Sequence, residues 1–176
     1  MRRKNLYNLV LTAVLAAMTT AMILVFFIPV GLDGRLHFGD SVILLAAVLL
    51  PTPYAMAVGA IGGGMANVLS STILWTPATV IIKAAITVSF SAKQDKLLTR
   101  RNLLSLLPYA IITIVGYALY HLLLIALGIG QFAGAVWTVI FANVIGDLVQ
   151  VAGSSMLFIA LAALMEKLKL KQRLLR

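Results

Sequence analysis

The chain has 176 residues, a formal net charge of +9, no cysteine, 62% hydrophobic against 11% charged residues, and a mean hydropathy of +1.06. That balance excludes a soluble globular domain, and the lack of cysteine excludes a disulfide framework and a thiolate metal site or nucleophile. The length accommodates about six membrane spans of about 20 residues and leaves no room for a separate soluble domain.

In chain order, apolar runs separated by prolines and short polar stretches predict spans at roughly 6–30, 40–51, 53–71, 76–92, 103–127 and 134–166. The first run outlasts a signal-peptide core and has no convincing cleavage site, so it reads as a span. The expected fold is an all-α integral membrane protein, a bundle of six transmembrane helices in a single domain. Arg2, Arg3 and Lys4 precede the first run, Lys93, Lys96, Arg100 and Arg101 fill one connection, and Lys167, Lys169, Lys171, Arg173 and Arg176 form the tail. With six spans and both termini cytoplasmic, all three clusters fall inside, as the positive-inside rule requires. The clusters therefore read as orientation signals against anionic lipid rather than as a nucleic-acid surface.

Small residues give packing faces. Ala13 and Ala17 on the first span fit packing either internally or against another subunit. Ala55, Gly59, Gly63 and Asn67 recur every four residues along the third span and form an extended small-residue face. The first external connection, Gly31 to Gly39, carries Arg35, His37 and Phe38 and reads as a lid or pocket wall; Asp40 after it either caps the second span or faces ligand. Trp75 precedes Thr76 and Pro77, where proline takes its favoured first-turn position, and suits an interfacial anchor or a stacking face.

Ionisable groups inside a membrane cost free energy and need a reason. Lys83 lies about 10 Å below the outer end of the fourth span, at 1.5 Å per residue, with Thr76, Thr79 and Thr87 on its face. Tyr117, Tyr120 and His121 form a patch within about three turns of the outer surface on the fifth span. Asn143, Asp147 and Gln150 share one face of the sixth, from about 13 Å to about 24 Å below its outer end. Asn67 joins the same layer. Polar side chains thus gather in the outer half while the inner halves are almost purely aliphatic, which implies a cavity open to the outside. Lys83 and Asp147, at comparable depths, fit either a structural ion pair or contact with ligand. The tyrosines, histidine, asparagines and glutamine supply stacking faces, donors and acceptors for a heteroaromatic ligand. His121 fits a hydrogen bond to a neighbouring helix as well as it fits ligand.

The stretch HFGDSVILLAAVLLPTPYAMAVGAIGGGMANVLS (37–70) followed by WTPATVIIKAA (75–85) resembles the S components of energy-coupling factor vitamin transporters, of the riboflavin type and in particular the hydroxymethylpyrimidine and pyridoxine branch. Gly39, Asp40, Gly59, Gly63, Trp75, Pro77, Ala78, Thr79 and Lys83 carry the likeness, and Asn67 departs from it where aspartate is frequent. The resemblance covers roughly residues 5–165. It implies a multi-pass subunit of a prokaryotic plasma membrane that captures a vitamin or precursor from outside, with riboflavin and pantothenate as alternative ligands. It also implies a transmembrane coupling subunit and two cytoplasmic ATPases as partners, ATP and Mg on those partners and no cofactor or metal here. Ala13 to Ala17 matches in position the surface that docks the coupling subunit. The chain contains no GxxxxGK[ST] phosphate loop, in keeping with a non-enzymatic role. A stand-alone proton-coupled transporter relaying through Asp147, Lys83 or His121 is the alternative, opposed by the small size and the lack of an inverted repeat. An intramembrane enzyme lacks its constellation, since the two histidines stand 84 positions apart and no HExxH occurs.

Overall fold

A computed structural model describes residues 2–30, 34–129 and 136–174. Residues 31–33 of the expected lid, residues 134–135 at the expected start of the sixth span, Arg176 and the side chains of Arg2, Arg3 and Arg35 lie outside what is described. The molecule is an all-α membrane bundle with almost no strand, and three of its helical stretches, Lys4–Val25, Arg100–Ala126 and Asn143–Lys167, are long and apolar enough to cross a membrane.

Helix α1 (Arg2–Val25) stops before residue 30, and Phe27–Val30 continues as strand β1, paired antiparallel with β2 (Gly34–His37) in the register Phe27 to His37 and Val30 to Gly34. Aromatic and β-branched residues favour the extended form, and Pro29 lacks a donor and disfavours helix at Ile28. Helix α2 (Gly39–Leu49) follows with every residue buried, then α3 (Thr52–Leu69), a 3₁₀ turn at Ile73–Trp75 and α4 (Thr76–Ala85), which opens on Pro77. The short α5 (Arg100–Leu104) leads into α6 (Leu106–Ala126), α7 (Val136–Lys167) and a turn-length α8 (Leu170–Leu174). At 1.5 Å per residue α2 is about 16 Å long, roughly half of a hydrocarbon core. It sits inside the bundle, packed against α1, α3 and α7.

Two glycine faces place α3. A Cβ on Gly59 would clash with the Lys83 carbonyl, so α3 and α4 touch backbone to backbone there, while Gly63, one turn on, makes room for the Thr79 and Lys83 side chains. On the other face, Thr20 Oγ1 donates to the Gly62 carbonyl at 2.9 Å, and a Cβ there would meet Thr19 and the Ala16 carbonyl. Helix α1 therefore packs inward through Leu15, Ala16, Thr19 and Ile23, and leaves Ala13 and Ala17 on its exposed side.

Candidate functional site

The floor of the site is a buried charge pair. Lys83 Nζ lies 2.7 Å from Asp40 Oδ1 and 2.8 Å from Oδ2, and both side chains are essentially without solvent contact. Tyr109 in the first turn of α6 donates its hydroxyl to Oδ2 at 3.1 Å. Lys83 Nζ also stands 5.4 Å from the centre of the Tyr117 ring, a cation–π distance. Pairing is what makes two buried charges tolerable.

One of the two alternatives open for Lys83 and for Asp40 falls away here. The partner of Lys83 is Asp40 rather than Asp147, and Asp40 makes no side-chain cap to α2, whose N-cap position is Phe38. The reason is depth. Because β1 and β2 precede it and α2 is short, the first turn of α2 lies far enough into the bundle to meet the last turn of α4. Asp147 stays within electrostatic reach of Lys83 and Asp40, but it is half-buried and forms no hydrogen bond or ion pair among the described residues.

One wall comes from α3 and α4. Asn67 Nδ2 donates to Thr79 Oγ1 at 2.7 Å, and Thr79 Oγ1 lies 3.2 Å from the Tyr117 hydroxyl. This chain ties α3, α4 and α6 together just above the ion pair. Above it sits an aromatic cluster: Trp75 lies 6.3 Å from Tyr117, 5.6 Å from Tyr120 and 4.4 Å from His121 between ring centres, all tilted by 58–59°. Tyr120 fixes the 3₁₀ turn by donating to the Leu74 carbonyl at 2.6 Å. The i, i+3, i+4 spacing on α6 is what presents three rings to one indole.

Helix α7 closes the other side. Asn143 Nδ2 meets His121 Nε2 at 3.1 Å, which joins α7 to α6 and makes this ring nitrogen the acceptor. Gln150 takes the His37 backbone N–H at 2.7 Å on its oxygen and donates its amide to His37 Nδ1 at 3.1 Å. Ser154 Oγ lies 3.4 Å from Gln150 Nε2 and 3.5 Å from the His37 carbonyl oxygen. The end of β2 is thereby latched to α7. Gly146, beside Asp147, has nothing within 4 Å of where a Cβ would stand among the described residues.

The sequence-predicted residues thus fall into two sets. Trp75, Tyr117, Tyr120 and His121 form the aromatic cluster above Asp40 and Lys83, Asn143 joins it through His121 and Asn67 through Thr79, and Asp147 lies within electrostatic reach of Tyr117 and the ion pair. His37 and Gln150 form a separate latch at the hairpin. Tyr109 and Ser154 were not singled out from the sequence. Tyr109 carries a signal, standing eight and eleven residues before Tyr117 and Tyr120 on one face of α6, but its depth hides its role. Tyr109→Phe should cost about 1.5–3 kcal/mol, the range for hydrogen bonds to charged groups, read as a lowered unfolding midpoint in detergent. A cavity of about 240 Å³ lies at the opposite, basic end, lined among others by Asp95, Lys96, Glu166 and Lys169, and takes no part in this site.

The model of the family described as ECF-type riboflavin transporter, S component, matches residues 3–167, nearly the whole chain. No curated protein matches the chain. With that coverage, a membrane-embedded helical bundle and polar residues from four helices converging inside it, the chain belongs to the ECF-type riboflavin transporter S component family, the substrate-binding membrane subunits of energy-coupling factor transporters.

Proposed function

We propose that this subunit captures a small water-soluble vitamin or precursor carrying one pyrimidine or pyridine ring, best represented by hydroxymethylpyrimidine or pyridoxine, for ATP-driven uptake. The observation that carries this reading is the cluster of the Trp75, Tyr117, Tyr120 and His121 rings, with the Asp147 carboxylate in electrostatic reach of Tyr117 and hydrogen-bonded to no described group. A single heteroaromatic ring stacks on such a cluster while its amino, hydroxymethyl or ring N–H group donates to Asp147 and bonds to Asn143. The rings are tilted against one another rather than spread as a parallel slot, which suits one ring better than the three fused rings of riboflavin. A carboxylate ligand such as pantothenate would need an uncommitted cation; Lys83 is already held by Asp40, which leaves that role to Arg35, whose side chain lies outside the described residues.

The bundle crosses the membrane six times in this reading, with α2 and α4 as short inner segments, both termini cytoplasmic and the site in the outer half of a prokaryotic plasma membrane. The coupling subunit docks on the exposed Ala13 and Ala17 side of α1, two cytoplasmic ATPases supply ATP and Mg chemistry, and this chain has no enzymatic activity of its own. Native mass spectrometry of the purified protein against a panel of B vitamins and precursors tests the ligand. Sub-micromolar binding of a one-ring compound is the expected result. Binding of riboflavin alone would replace the ligand assignment, and proton-driven solute movement by the reconstituted chain alone would replace the mechanism.

A further inference from the structure

The basic end of the bundle contains an arrangement that ligand capture by itself does not explain. Lys171 on α8 is only 6% exposed, and its ammonium donates to three backbone carbonyls: Val48 at 2.9 Å, Ala92 at 2.9 Å and Gln94 at 2.5 Å. Those are all three of its donors. Val48 lies in the last turn of α2, where carbonyls lack helical partners and the negative end of the helix favours a cation. Because Val48 and the two residues after it are buried, water is not there to satisfy that carbonyl. Burial pushes the Lys171 ammonium below the ordinary lysine range, with Asp95 and Glu166 acting in the opposite sense.

The neighbouring carboxylate completes the grip. Glu166 Oε1 accepts from the backbone N–H groups of Leu97 and Leu98, at 2.5 and 2.9 Å. Lys169, at φ 52°, turns the chain so that α8 folds back beneath the bundle. The segment that carries Lys171 lies beyond residue 167, where the family match ends.

We propose that Lys171 is a positioning residue for ligand capture: it clamps the inner end of α2 to the 92–94 connection, and so fixes the helix whose other end carries Asp40 at the floor of the site. Helix α2 is short, straight through the core and buried along its whole length, so its two ends cannot move independently. Asp40 in turn sets where Lys83 and Tyr109 stand. The ligand half of this inference rests on the proposed function; the clamp does not.

The test compares Lys171→Met with Lys169→Met, an exposed lysine two residues away, in the purified full chain. Amide hydrogen exchange along α2 is read first, then hydroxymethylpyrimidine affinity by native mass spectrometry. Lys171→Met should speed exchange at residues 40–43 as well as 46–50 and weaken ligand binding about 3- to 30-fold, the range of distal coupling; Lys169→Met should do neither. Faster exchange confined to residues 46–50 and 92–98, with unchanged exchange at residues 40–43, would show a local cap and overturn the proposal. If the wild-type chain binds no hydroxymethylpyrimidine, the ligand reading has failed and the exchange pattern alone decides the clamp. Should Lys171→Met not fold, Lys171→Gln, which keeps two donors, gives the same comparison.

Discussion

Replacing Lys83 with methionine is expected to lower the unfolding free energy by about 3–5 kcal/mol, because it leaves the Asp40 carboxylate buried without its partner. Asp40 is completely buried, so water cannot take the place of the ammonium, and the Tyr109 hydroxyl at 3.1 Å offers a single hydrogen bond to a full charge. The second half of the prediction is the double variant. Asp40→Leu combined with Lys83→Met removes both charges and should recover most of the loss, since apolar replacement of a whole buried pair is frequently neutral. Recovery stops short of complete because the Tyr109 hydroxyl then loses its acceptor, at a cost of about 1–3 kcal/mol. Reversible unfolding in detergent across the four proteins of the cycle gives the coupling directly. Additive effects of the two single changes would show that the pair does not act as a unit.

The reason this pair was not legible in the sequence also marks where sequence reasoning stops for the site. Helical spacing was enough for everything that depends on one helix: the α3 stripe from Ala55 to Asn67, the Tyr117, Tyr120, His121 patch, the Asn143, Asp147, Gln150 face, and Pro77 at the start of α4. Partners across helices depend on depth, and depth depends on where each helix begins. Residues 27–30 form a strand instead of a last helical turn, and α2 is only 11 residues long, so Asp40 meets Lys83 and Tyr109 deep in the bundle instead of capping a helix near the surface. Asp147 does lie near Lys83, as its depth on α7 suggests, but the short α2 brings Asp40 closer, and it is Asp40 that takes the ammonium. The basic tail was legible as charge but not as structure: nothing in its composition separates Lys171, buried on three carbonyls, from Lys169 two positions earlier, which is exposed.

Asp147→Asn is expected to weaken binding of the one-ring vitamin about 10- to 100-fold, the equivalent of one hydrogen bond to a charged group, while leaving the unfolding midpoint of the ligand-free protein nearly unchanged. The contrast follows from what the three polar residues of α7 already do. Asn143 is joined to His121 and Gln150 to His37, so changing either disturbs contacts between elements as well as ligand. Asp147 stands between them on the same face without a hydrogen bond to any described residue. A carboxylate placed this way costs free energy in the empty protein and returns it when a donor arrives, which is the signature of a group kept for binding rather than for folding. Asparagine keeps the shape and one acceptor but removes the charge, so affinity should fall without a cavity being made. Calorimetric affinity and thermal unfolding measured on the same preparations decide it. A stability loss comparable to that of Lys83→Met with intact affinity would make Asp147 a structural partner of Lys83 and move the ligand away from α7.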